Sequence, residues 1–176
     1  QMLEDSAKAV AYVAQQFPNR SIVIMGHSAG AYNTLMIGLN NAFLSAEGMA
    51  VCERVSGLVS LAAPTGVYPL KEEPLITIFP DRFQKDDAPL AYVNAPSPAL
   101  FVMNGADDTT VGPKNAEEFA AKVTARGGKA ELKIYEGVNH IEAVQFLSRH
   151  FDGKAPIKED IISFVEGLPK TGNFCR

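Results

Sequence analysis

Three places in this chain carry residue types that could do covalent chemistry. The first is Gly26-His27-Ser28-Ala29-Gly30, a match to G-x-S-x-G. It lies between Ser21-Ile22-Val23-Ile24-Met25, a short apolar run rich in β-branched residues, and residues 28 to 40, which read as helix. A strand that turns abruptly into a helix holds its central residue in a strained conformation, with the side chain at the tip of the turn. The flanking positions are expected to be small, because neighbouring backbone passes too close for a Cβ; Gly26 and Gly30 meet that need. The N–H of Ala29 falls at the helix N-terminus, where free donors and the dipole favour a developing oxyanion. The pattern nominates Ser28 as nucleophile and Ala29 as oxyanion donor. The plainer alternative is a tight glycine turn with an incidental serine.

A serine is a weak nucleophile without a base, and the base needs an orienting acid. Where the nucleophile sits on such a turn, the chain order is Ser, then Asp or Glu, then His. The second place, Asn104-Gly105-Ala106-Asp107-Asp108-Thr109-Thr110-Val111-Gly112-Pro113, follows the apolar run Ala99–Met103. The third, Glu136-Gly137-Val138-Asn139-His140, follows the alternating run ending at Tyr135. Asp108 is favoured over Asp107 as the acid: it stands three residues after Gly105 and three before Val111, and Asp107 can brace the loop instead. His140 is the base by its place after the last strand. His27 lies beside the nucleophile, so its side chain should point elsewhere and shape the substrate pocket. His150 follows a predicted helix, where a cation at the C-terminus is ordinary.

These residues need elements to hold them. Leu3, Ala7, Val10, Ala11, Ala14 and Phe17 recur at helical spacing, which predicts an amphipathic helix from 3 to 17, stopped by Pro18-Asn19. The run 21–25 reads as a strand buried on both faces of a parallel sheet. In the helix that follows, Ala31, Leu35, Met36 and Leu39 form the inner face. Val55–Leu61 and Ala99–Met103 read as further strands, and Ala130–Tyr135 as a strand near the sheet edge. Lys114–Arg126 is a helix with Ala116, Phe119, Ala120 and Val123 as its stripe. Ile157–Leu168 is the last helix, with Ile161, Ile162, Phe164 and Val165 inward. Strands alternating with helices predict α/β architecture: a mainly parallel sheet of about four strands with helices on both faces. Residues 64–98 hold seven of the eleven prolines and are expected to form a lid or pocket excursion, with Tyr68, Leu70, Leu75, Ile76, Phe79 and Phe83 as its wall. A long surface loop is the equal alternative.

The composition fits one globular domain: 176 residues, 47% hydrophobic and 20% charged. Sixteen basic against twenty acidic residues leave a net charge of −4, evenly spread, which argues against nucleic-acid binding through a basic face. No apolar run approaches the roughly 18 residues needed to span a bilayer. No His/Cys cluster suggests a metal, and the chemistry above needs no cofactor. Cys52, placed in a loop before a strand, and Cys175, in the tail, leave pairing and compartment open. No leader is visible, although a chain that begins at Gln1 and already reads as helix by Asp5 says nothing about targeting.

Strand–GHSAG–helix, then GADDTTVGP, then YEGVNH, together resemble the α/β-hydrolase superfamily, and within it the carboxylesterases of the acetyl-esterase and feruloyl-esterase-like branch. Ala95-Pro96-Ser97-Pro98, leading into the strand before the acid loop, is similar as well. The resemblance implies a serine esterase with Ser28, Asp108 and His140 as nucleophile, acid and base, acting on small-molecule esters. It also implies about eight strands, of which the four before the nucleophile are missing here, with the loop that supplies a second oxyanion N–H. Residues 1–176 are therefore expected to be the C-terminal portion of one hydrolase domain, cut near Gln1 and weakly active or inactive alone, with an exposed edge on the first strand. The alternatives are a thioesterase, peptidase or acyltransferase using the same residues, or a non-catalytic hydrolase-like binding module.

Overall fold

The computed structural model describes residues 1–66, 88–94, 96–151 and 154–169. The proline-rich segment falls mostly outside these, as do its six proposed wall residues and Cys175. Helix α1, Met2–Gln16, buries Ala7, Ala11 and Ala14, which lie on one face at spacings of four and three. Phe17, expected on that face, lies just past the helix and is exposed, because its backbone has already left the helical conformation. The Arg54 guanidinium donates to the carbonyls of Ala14, Phe17 and Arg20, so one side chain holds the end of α1 and the turn that follows it.

Strand β1, Ile22–His27, leads into α2, Ala29–Leu39, which buries Ala31, Leu35 and Met36. Two short helices follow that the sequence periodicity does not reveal: α3, Asn41–Ala46, and α4, Val51–Arg54. Asn40 caps α3 through its side chain, which accepts from the Ala42 N–H. Cys52 lies in α4 rather than in a loop, and it is disulfide-bonded. Strand β2, Val55–Leu61, is buried at all seven positions. A 3₁₀ turn at Pro89–Tyr92 precedes β3, Ala99–Gly105. Helix α5, Lys114–Ala125, buries the four predicted stripe residues and leads to β4, Ala130–Tyr135. A short helix α6, Glu142–Gln145, and a 3₁₀ turn, Arg149–Phe151, precede α7, Ile157–Glu166.

The four strands pair in parallel in the order β1-β2-β3-β4. One face packs Ile24, Leu58, Leu100 and Val102 against α1, α2, α3 and α5. The other packs Val59, Leu61, Phe101 and Met103 against α6 and α7. In α7, Ile157 and Ile161 are buried and Phe164 packs near Phe101, with ring centroids 5.6 Å apart. Ile162 and Val165, expected inward, are exposed: the period of 3.6 turns Ile162 away from the face of 157, 161 and 164, and Val165, one turn after Ile161, lies at the margin of that face. The expectation that β1 is buried on both faces also fails. Among the described residues β1 pairs only with β2, and Met25 is 51% exposed. The strands with both faces buried are the central pair, β2 and β3. Strand β4 is the other edge, as its alternation indicated.

Candidate active site

All four strands run the same way, so their C-terminal ends share one rim of the sheet, where side chains from successive loops can meet. Hydrogen bonds continue the ladder past the strand ends: Ser28 N–H to Leu61 O, Ala62 N–H to Met103 O, and Ala106 N–H to Tyr135 O, each at 2.9 Å. Ser28 sits at the junction of β1 and α2 with φ 54° and ψ −120°. Positive φ is uncommon for a residue with a Cβ. The turn is tight at Gly26, where a Cβ would stand 2.2 Å from the Gly30 carbonyl oxygen. The expectation of crowding does not extend to Gly30, where no described atom lies within 4 Å of the Cβ site. Ala29 is the first residue of α2, so its N–H has no carbonyl four residues back to meet within the helix.

Asp108 follows β3 by three residues, and its side chain is fully buried. Four donors surround the carboxylate. Thr110 and Val111 donate backbone N–H groups to Oδ1, at 2.9 and 2.8 Å. Asn104 Nδ2 and His140 Nδ1 donate to Oδ2, at 3.2 and 2.7 Å. These match the four lone-pair sites of an ionised carboxylate. Asn104 also donates to Val111 O at 2.8 Å, so it holds both ends of the loop. No role follows for Asn104 from the triplet of chemistry-bearing sites, but a signal exists: it is a polar residue ending a buried apolar strand, and such residues need partners. Asp107 is exposed beside it.

His140 follows β4 by five residues, in a turn closed by its neighbours. Asn139 Oδ1 accepts from the N–H groups of Ile141 and Glu142, and Glu142 Oε2 accepts from the N–H of Asn139. The sequence signal of this reciprocal cap is N-x-x-E, Asn139 to Glu142. Because a carboxylate only accepts, His140 Nδ1 carries the proton donated to Asp108. In the neutral ring Nε2 then accepts from the Ser28 hydroxyl, at 2.9 Å. The structure thus joins Ser28, His140 and Asp108 in one hydrogen-bonded line. The line can pass a proton from the hydroxyl to the imidazole while the carboxylate faces the cation formed.

His27 is also here. Its Nε2–H donates to the His140 carbonyl at 2.8 Å, and the two rings stand 4.8 Å apart between centroids. Burial lowers its pKa from the ordinary 6.5, as does the adjacent His140, while the hydrogen bond to the His140 carbonyl and the Asp108 charge oppose the shift. His150 lies apart, exposed in the 3₁₀ turn. Tyr135 donates to Asp160 at 2.7 Å, linking β4 to α7, and burial followed by that carboxylate pushes its phenol pKa up. Among the described residues no group of three His, Cys, Asp or Glu side chains could hold a metal ion, and no helix is long and apolar enough to cross a membrane.

The model of the prolyl oligopeptidase family matches residues 1–155. A probable isoprenylcysteine alpha-carbonyl methylesterase of Oryza sativa subsp. japonica is 25% identical, over 93% of this chain and 45% of its own length. The isoprenylcysteine alpha-carbonyl methylesterase of Arabidopsis thaliana is 24% identical, over 97% and 46%. The chain therefore spans less than half the length of these relatives. Among solved structures, Thermogutta terrifontis esterase 2 phosphoramylated by tabun superposes with a TM-score of 0.70 at 17% identity, covering 93% of this chain and 61% of that one. That likeness is one of fold: a parallel α/β sheet of the α/β-hydrolase kind.

Proposed function

Because this chain belongs to the prolyl oligopeptidase family, within the α/β-hydrolase superfamily, we propose that it hydrolyses carboxylic esters through an acyl-enzyme formed on Ser28. The observation that supports this most is the unbroken line Ser28 Oγ···His140 Nε2, 2.9 Å, and His140 Nδ1···Asp108 Oδ2, 2.7 Å. In the proposed reaction His140 Nε2 takes the Ser28 proton as Oγ attacks the ester carbonyl. Asp108 holds the Nδ1–H tautomer and stabilises the imidazolium. The Ala29 N–H, at the start of α2, donates to the tetrahedral oxyanion. His140 then gives its proton to the leaving alcohol, and the ester C–O bond breaks. A water, deprotonated by His140, attacks the acyl-enzyme and returns Ser28 and a carboxylic acid. The two plant relatives are named as methylesterases, which favours an ester over an amide. A second reading, hydrolysis of peptides, is favoured by the family's description as prolyl oligopeptidases. The substrate is a small molecule in the first reading and a peptide in the second. The single-domain organisation of residues 1–176, with 64–98 as a lid or pocket excursion, is part of the same proposal.

The test is labelling and turnover by the intact protein. A fluorophosphonate should modify Ser28, and Ser28→Ala should abolish both label and p-nitrophenyl acetate turnover, a loss of roughly 10⁶ in kcat. Unchanged turnover in Ser28→Ala rejects the reading. Faster release from a prolyl peptide anilide than from the ester favours the second. Absence of both activities and of label in the folded protein favours a binding module.

A further inference from the structure

The sequence suggests His27 as a pocket-shaping residue; the geometry gives its ring nitrogen a different partner. Nε2 meets the backbone carbonyl of His140 at 2.8 Å, so it must carry a proton, because a carbonyl only accepts. That carbonyl has no helical donor in its turn. The Val144 N–H, four residues on, bonds to Ile141 O instead, at 3.1 Å. Within one turn His140 is thus held at three points: its N-terminal side by the reciprocal Asn139–Glu142 cap, its ring by Asp108, and its carbonyl by His27.

His27 is also the residue immediately before Ser28. Its backbone is the last of β1, which is fixed to β2 by the pairing of His27 with Leu61. The bond to the His140 carbonyl therefore ties the strand that presents the nucleophile to the turn that presents the base. Resting on the reading of Ser28 and His140 proposed above, we infer that His27 is a positioning residue. It sets the Ser28–His140 separation through the backbone of the base rather than by touching substrate. The two rings do not compete for the Ser28 hydroxyl: His27 Nε2 is bonded to the His140 carbonyl, and the hydroxyl bonds to His140 Nε2. A glutamine places an amide N–H close to where imidazole Nε2 stands. A leucine keeps bulk without a donor. An asparagine keeps a donor on a stem too short to reach.

The experiment compares His27→Gln and His27→Leu with the unaltered residue in the intact protein, by kcat and KM on p-nitrophenyl acetate and by the rate of fluorophosphonate labelling. A misplacement near 1 Å is enough to cost about 10²-fold. His27→Leu is expected to lower kcat and labelling by about tenfold or more with KM little changed, and His27→Gln to recover most of that. The inference is overturned if His27→Leu keeps full kcat, if His27→Gln is as impaired as His27→Leu, or if the loss falls on KM with kcat intact, as a substrate contact requires. Should His27→Leu not fold, His27→Asn takes its place with the same expectation. Ser28→Ala separates the two readings. If it stays active, the site assignment and this inference fall together; if it is dead while the His27 series is flat, only the inference falls.

Discussion

At the scale of the residue, the site rests on a saturated carboxylate. Asp108 has four donors around two oxygens. Asp108→Asn keeps the shape but not the pattern: one side of the amide turns an NH₂ toward groups that are themselves donors. It also removes the acceptor that fixes the His140 tautomer. We expect kcat to fall by about 10⁴ and stability by about 1–3 kcal/mol, read from ester turnover and from the urea midpoint. A variant with full turnover would detach Asp108 from the reaction. His27 adds a pH dependence. Burial lowers its folded-state pKa below the 6.5 of the unfolded chain, so the unfolded state takes up the proton first. The stability from keeping it neutral is complete above about pH 6.5 and is lost as pH falls through the lowered value. The groups facing the ring are His140, which disfavours its charge, and Asp108, which favours it. Melting curves of wild type and His27→Gln should therefore converge on acidification; a constant gap would mean His27 does not titrate differently on folding.

At the scale of the element, what the sequence revealed depended on how far each element's own residues determine it. Strand β2 and helix α5 were readable because their apolar runs and stripes are complete within themselves. The short helices α3, α4 and α6 have four to six residues, too few for a periodic stripe; Asn40 marks α3 and the Asn139–Glu142 pair stands ahead of α6, while α4 has no side-chain cap. The two loops of the site were readable as motifs, but their contact was not. At Gly105 a Cβ would lie 1.9 Å from the Val138 carbonyl oxygen, so the Asp108 loop and the His140 loop touch backbone to backbone. Asp107 N–H bonds to that same carbonyl, at 3.1 Å. Nothing local to either loop predicts this; it follows from β3 and β4 being neighbours in register, Gly105 beside Tyr135. Gly105→Ala should force the loops apart, because the obstacle is backbone and cannot rotate away. The expected cost is about 3 kcal/mol, seen as a lower urea midpoint, together with lost turnover. A neutral result would mean the two loops are not packed this closely.

At the scale of the molecule, the two faces of the sheet are covered unequally, and this is where the sequence misled about β1. An unbroken apolar run reads as a strand buried on both sides, and Ser21–Met25 has such a run. What the run cannot say is which neighbour covers it. Helices α1 and α2 cover β1 on one face, where Ile24 is buried. On the other face α7 reaches β2, with Leu168 and Phe164 against Gly57, and leaves Met25 half exposed. The outer edge of β1 has no partner among the described residues. A flat apolar strand with free N–H and C=O groups along its edge is a template for another strand. A polypeptide limited to these 176 residues is therefore expected to self-associate through β1, and Met25→Lys to shift it toward monomer. A lysine there adds charge repulsion between two copies at the edge without entering the core, so the melting temperature should change little. Light scattering after size-exclusion chromatography measures the first effect and a thermal melt the second. Equal association in both forms would place the contact elsewhere, and a large drop in melting temperature would mean that Met25 is packed within the fold rather than exposed on β1.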